Sequence, residues 1–393
     1  MTSTITPPLK GIRVVELTHT ILGPSCGMIL ADLGAEVIKV ESPASGDFTR
    51  GLVPWVFQTV NRNKQSFAVD LREAEGRDLV LQLAARSDVF VQSMRPGVVE
   101  GMGLGRDAIK AVNPRIIHAS LSGWGPSGPR SLDKGMDVVA QAESGLGFIQ
   151  GTVLSTGSFV DAATGLAFAH AITAAILKRE RTGEIDDITA CLLDTAVYLA
   201  SVPIAEYAAT GFAFEPVAYA RRFPTVGVFD AADGRLFVAA YRDAEWRAVS
   251  EVVGRPDLLD DPRFATKEAQ ADNLDALRAE LQAAFATRSR DEWVRLLTAR
   301  DVMAAQVRTT AEVPHLDQVV HNGSLEQLTI SDGRVAPFSR PPYRIVGAPL
   351  PDSRPAPVIG ADTARVLELL GIDAAGADKL RATGVVGDAH ATD

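Results

Sequence analysis

Along its first third the chain alternates short Val/Ile/Leu-rich runs with longer stretches whose apolar residues recur at helical spacing. GIRVVEL, AEVIKVE, SFAVDL, DVFVQSM and RIIHASLSGWG read as strands; CGMILADLG, EAEGRDLVLQLAAR and the stretch from Asp107 to Val112 read as the helices between them. Strands with few polar positions, separated by helices, predict a parallel sheet covered on both faces. The expected fold is therefore α/β, with a doubly wound, Rossmann-like large domain. Ligands of such sheets gather outside the C-terminal strand ends, which fall here at 17–19, 41–42, 70–72 and 92–95.

In the middle of the chain GSFVDAATG leads into an Ala-rich helical stretch, Leu166 to Leu177, followed by Lys178, Arg179, Arg181 and then Gly183. Cations in a last turn and a glycine after it are ordinary helix-ending chemistry. At the other end Asp161 has a simple reading as a cap, its carboxylate accepting from free N–H groups of the first turn. ITACLLDTAVYLAS predicts a further helix, and His170 reads as a packed core histidine. Beyond Pro224 the pattern changes: VGVFDAADGRLFVAA predicts a hairpin around Asp233-Gly234, with helices at 274–286 and 291–299. The second helix opens with a capping box, Ser289 to Glu292. The Pro-rich segment 336–357 reads as an extended return, ahead of a helix at 363–370. This divides the chain into a large domain over 1–223, a smaller α+β domain over 224–330, and a return over 331–393 that completes the first.

A length of 393 residues exceeds what one core usually holds, which supports two domains. The net charge of −10 argues against a nucleic-acid or acidic-membrane partner, since both need a basic footprint. Only Cys26 and Cys191 are present, so neither a disulfide framework nor a zinc site is expected. The apolar run after Lys10 is too short for a signal peptide or membrane span, and a cytoplasmic location is expected.

Several motif candidates fall away. Gly123-Trp-Gly-Pro-Ser-Gly128 fits GxGxxG, yet Pro126 and Pro129 lack the N–H groups a phosphate cradle needs, and no helix follows. Asp186, Asp187 and Asp194 match no metal-ligand spacing, and no metal site is expected.

A longer series of motifs is more informative. LKGIRVVELTHTILGPSCGMILADLGAEVIKVESPASGDFTRG, NRNKQSFAVDL, SDVFVQSMRPGVVEGMGLG, NPRIIHASLSGWGPSGP, KGMDVVAQAESGLG and VDAATGLAFAHAITAAILKRERTG follow one another in order across most of 9–200. Together they resemble the family III CoA-transferases, whose members include formyl-CoA:oxalate and carnitine CoA-transferases and the related α-methylacyl-CoA racemases. The resemblance implies that Asp161 is a nucleophile. It would attack an acyl-CoA thioester to give a mixed anhydride and then an aspartyl-CoA thioester, which a second carboxylic acid resolves. On this reading a helix N-terminus keeps Asp161 ionised at neutral pH.

The same resemblance makes Asp137 a second acidic site residue, with capping of its own helix as the alternative. It assigns coenzyme A contacts to His19, Ile21, Leu22, Val69, Asp70, Leu71, Arg72, Ser93, Met94, Arg95 and Lys134. No tightly bound cofactor is implied; coenzyme A enters as part of the acyl-CoA substrate, with a free carboxylic acid as the other. An interlocked homodimer is also implied.

Two departures stand out. Relatives often carry Arg where this chain has Ser42 and Gly101, which leaves Arg50, Arg62 or Arg95 to meet the CoA phosphates. AYARRFPTVG replaces the glycine-rich loop of formyl-CoA transferase, and Arg221 and Arg222 in it are candidates to face a substrate carboxylate. A racemase would need a His before Asp137, where this chain has Met136; racemase and non-catalytic CoA-binding readings remain the alternatives.

Overall fold

The structure, a computed structural model, describes residues 6–346 and 352–389. Six strands form one all-parallel sheet: β1 (Arg13–Leu17), β2 (Glu36–Glu41), β3 (Gln65–Ala68), β4 (Val89–Gln92), β5 (Ile117–Ser122) and β6 (Ile188–Cys191), in the order β3-β2-β1-β4-β5-β6. Alternate residues serve two separate apolar layers. Val15, Ile38, Phe67 and Phe90 pack on one face with Leu79, Leu83, Val366 and Leu380. Val14, Val37, Val91 and Ile117 pack on the other with Leu30, Phe168, Ile172 and Ile176. Covering on both faces is why these strands read as nearly unbroken apolar runs.

The expected helix over 188–201 is corrected at its start. Ile188–Cys191 is a strand, paired in parallel with β5, and the helix is only Leu192–Leu199. A four-residue run with one β-branched pair is locally ambiguous, and the open edge of β5 decides it. His170 is exposed, because it sits on the side of the Phe159–Thr182 helix turned from Phe168 and Ile172.

The chain divides into two compact units. One comprises residues 1–147, 154–200 and 318–393; the other comprises 148–153 and 201–317. The changeover therefore falls at 200, where the sequence pattern suggests 223, because the helices Ser201–Thr210 and Pro216–Arg222 belong with the second unit. Within the first unit the C-terminal segment closes the outer edge of β3: Ser66 N–H donates to Asp362 at 2.9 Å, and Gly387 N–H to Ala68 O at 3.1 Å. The Thr363–Leu369 helix lies where expected, and a helix over Ala374–Ala382 follows it. Of the expected 336–357 return, residues 347–351 lie outside the described residues, and 335–339 form a hairpin strand with Leu325–Thr329.

The second unit has an antiparallel sheet of β7 (Val226–Ala231), β8 (Gly234–Ala239) and β9 (Met303–Gln306). Ala231 pairs with Gly234, so the hairpin loop is Ala232-Asp233, one residue before the predicted centre. Its core gathers Phe229, Leu236, Trp246, Phe285 and Trp293, and Ser289 caps the Arg290–Thr298 helix by accepting from Glu292 N–H at 3.2 Å.

Candidate active site

Asp161 stands at the third position of the Phe159–Thr182 helix, whose N-cap is Ser158 in a left-handed conformation (φ 53°) without a side-chain cap bond. The first-turn N–H groups of this helix thus need acceptors from elsewhere. Asp137 supplies one: its Oδ2 accepts the Asp161 N–H at 2.9 Å. Asp137 is the first residue of the helix Asp137–Glu143, so the reading of it as a cap of its own helix is corrected; it caps the neighbouring one. Gln141, one turn on, donates to Asp137 Oδ1 and to Ser155 O (2.8 Å) and accepts from Ser155 N–H (2.9 Å). The carboxylate of Asp137 is therefore gripped on both oxygens.

That leaves the Asp161 carboxyl unused by the cap. It meets no hydrogen-bond donor among the described residues, and it keeps 8% of its surface exposed against 6% for Asp137. Val160, Ala140, Leu192 and Ala196 make an apolar cluster beside it, against which Leu22 packs. Burial pushes the Asp161 carboxyl up to about 7, and the nearby charge of Asp137 adds to the rise. This burial works against the expectation that the helix end keeps Asp161 ionised at neutral pH. Gly165, one turn on from Asp161, lets the helix seat on Leu22–Asp32, since a Cβ there would come 2.7 Å from Ser25 Cβ.

The expected coenzyme A contacts separate into groups. His19 and Ser93 lie on the loops after β1 and β4, where the sheet order reverses, and His19 N–H reaches Ser93 Oγ at 3.4 Å. Arg95 follows on the same loop and donates to Leu132 O at 3.4 Å, near Lys134; both cations are exposed and make no ion pair among the described residues. Ile21 precedes the Leu22–Asp32 helix as its N-cap. After β3, Arg72 is 84% exposed and is paired to Asp70 at 2.5 Å.

Three positions turn inward. Val69 is wholly buried in the sheet core, bridged to Val386, so its side chain has no surface for a ligand; Leu71 and Met94 pack against the same core. Arg50 and Arg62 are corrected as phosphate contacts: each is buried against a carboxylate, Arg50 on Glu41 (2.7 Å) and Arg62 on Asp32 (2.5 Å). Arg222 pairs with Glu206, and Arg221 is exposed.

Sequence reasoning missed Gln141, and it missed the buried charges Glu16, Lys39, Asp47 and Lys64. Glu16 and Lys39 showed only as charges within the strand-like runs GIRVVEL and AEVIKVE, and Asp47 and Lys64 lie in polar stretches that gave no signal. Among the described residues no three His, Cys, Asp or Glu side chains converge as metal ligands.

The sequence model of CoA-transferase family III matches residues 9–363. A probable fatty acyl-CoA transferase of Mycobacterium tuberculosis is 35% identical over 362 residues, covering 85% of this chain and 90% of that one. A succinyl-CoA:glutarate CoA-transferase of Mus musculus is 33% identical over 399 residues, 96% of this chain and 90% of that one. Among solved structures, a CAIB/BAIF family protein from Brucella suis aligns with a TM-score of 0.84 at 31% identity, covering 92% of this chain and 99% of that one. Matched over nearly its whole length in both sequence and fold, the chain belongs to CoA-transferase family III and is an enzyme of that family.

Proposed function

We propose that this protein moves coenzyme A from an acyl-CoA donor to a free carboxylic acid, with Asp161 as the nucleophile. The observation that carries the reading is a buried carboxyl whose own helix is capped by a different aspartate, so that its oxygens remain free to react. In the first step an Asp161 oxygen bonds to the thioester carbon and the CoA thiolate leaves, giving a mixed anhydride. The thiolate then attacks the aspartyl carbonyl and releases the donor's carboxylate, which leaves CoA bonded to Asp161 as a thioester. The acceptor carboxylate attacks that carbonyl and frees the thiolate, which attacks the acceptor's acyl carbon and restores Asp161.

Asp137 and Gln141 hold the Asp161 backbone through this sequence. Arg95 and Lys134, near one another and without an ion pair among the described residues, suit the CoA phosphates, and Arg72 is a third exposed cation. The exposed apolar side chains Leu166, Leu177 and Tyr198 support a homodimer. Met136, 62% exposed beside Asp137, has no group able to move a proton, which disfavours racemisation.

The test is chemical trapping. The protein is incubated with a panel of acyl-CoA esters and treated with borohydride or hydroxylamine, and the peptide carrying Asp161 is read by mass spectrometry. A reduced or hydroxamate-modified Asp161 is expected. No modification, with α-deuterium exchange in the absence of a second acid, would instead mark a racemase.

A further inference from the structure

Four charged side chains lie buried beneath the loop that joins β1 to the Leu22–Asp32 helix, and the reaction above does not use them. Glu16 on β1, Lys39 on β2, Asp47, and Lys64 just before β3 all have fully buried side chains. Lys39 Nζ lies 3.0 Å from Asp47 and 3.5 Å from Glu16, and Lys64 Nζ lies 2.8 Å from Glu16. Gly27 leaves the room they need, since a Cβ there would come 1.6 Å from Glu16 Oε2. Buried ions of balanced charge are often no more stabilising than apolar side chains of the same volume, so stability alone does not call for this group.

Its hydrogen bonds point to another task. Lys39 Nζ donates to Thr18 O at 2.8 Å and Lys64 Nζ to Pro24 O at 2.8 Å, so each end of the segment 18–24 is tied to a buried ammonium. Between them, Thr18 Oγ1 donates to Glu16 at 2.9 Å and Thr20 N–H reaches Asp47 at 3.4 Å. Thr20 itself sits at φ 71°, a left-handed conformation that a β-branched residue holds only under constraint. The segment ends at the nucleophile's helix: Leu22 packs with Val160, and Leu22 O lies 3.3 Å from where a Cβ on Gly165 would stand.

We propose that Lys39 and Lys64 are positioning residues for acyl transfer, fixing the Thr18 and Pro24 carbonyls so that the segment 18–24 holds the thioester against Asp161. The inference rests on Asp161 being the nucleophile. Two measurements on the full-length protein separate the claims: amide hydrogen exchange over 18–24 without ligand, and the rate of adduct formation on Asp161 beside the affinity for free CoA. Lys39→Met is expected to speed exchange in 18–24 at least tenfold. It is also expected to slow adduct formation at least tenfold, by more than it weakens the binding of free CoA, with Lys39→Arg recovering much of the rate.

Lys39→Met leaves Glu16 and Asp47 short of a partner and can fail to fold, so Thr20→Gly is measured beside it. Glycine accepts φ 71° without strain, keeps the fold and loosens the loop. The same tenfold loss of adduct rate at unchanged Tm is expected. Thr20→Gly at the wild-type adduct rate overturns the proposal, as does a joint fall of rate and CoA affinity that tracks Tm. A wild-type protein that forms no adduct overturns the nucleophile and, with it, the catalytic half of the proposal; unchanged exchange in folded Lys39→Met or in Thr20→Gly overturns the loop-holding half.

Discussion

The backbone N–H of Asp161 donates to the side chain of Asp137 at 2.9 Å, which puts two aspartates side by side with only one of them engaged in holding the fold. The engaged carboxylate completes a helix cap; the other is left buried, apolar on one side and, among the described residues, without a donor. Asp161→Asn keeps the size and the backbone contact but removes the nucleophile. Turnover is expected to fall at least a thousandfold, with no trapped adduct in the mass spectrum and a far-UV circular dichroism spectrum like the wild type.

The same substitution is expected to stabilise the protein at alkaline pH. A carboxyl raised from 3.8 to about 7 binds its proton more tightly in the folded state than in the unfolded one. Its contribution is therefore fully present below about 3.8 and lost as pH rises through 7, a difference on the order of 4 kcal/mol at 1.36 kcal/mol per pH unit. Asn carries no such loss. Thermal melts of the two proteins are expected to separate above pH 7 in favour of Asn and to converge toward pH 4.

Because the ionised form attacks, adduct formation under single-turnover conditions is expected to rise about tenfold per pH unit below 7 and to level off above it. Asp137→Asn removes the charge that helps to raise Asp161, so its midpoint is expected below that of the wild type. It also puts an amide where Gln141 donates, at a cost of about 1–3 kcal/mol in denaturant melts. A midpoint that stays in place or moves upward would contradict the assigned electrostatics.

Gly165→Val tests the helix seating. Its new side chain meets Ser25 Cβ at 2.7 Å and the Cys26 backbone nitrogen at 3.1 Å, so a loss of about 1–3 kcal/mol is expected in urea unfolding. Gly183→Ala, in open space but at φ 76°, is expected to cost about 1 kcal/mol through backbone strain alone.

Arg95→Ala and Lys134→Ala are each expected to raise KM for the acyl-CoA severalfold at low ionic strength and to leave kcat nearly unchanged. The difference from wild type is expected to shrink in 0.5 M salt, because exposed charges are screened there. Arg50→Ala is expected to act through stability instead, since Arg50 is buried on Glu41 and reading it as a phosphate contact would predict the opposite.

The parallel sheet, the two sets of covering residues and the place of Asp161 at the head of its helix were all legible in the sequence, because strand alternation and helix spacing are local consequences of backbone geometry. Motif order carried the family as well. What local pattern did not carry was partnership. Asp137 and Asp161 are 24 residues apart, Lys39 and Glu16 are 23 apart, and Arg62 meets Asp32 across 30, so whether a charge is spent on a neighbour or left free appears only once the chain has closed on itself. ITAC became a strand for a similar reason, taking up the unpaired edge of β5. The acidity of Asp161 also belongs to the tertiary structure: it follows from how much water the fold removes around one carboxyl, a quantity no run of neighbouring residues encodes.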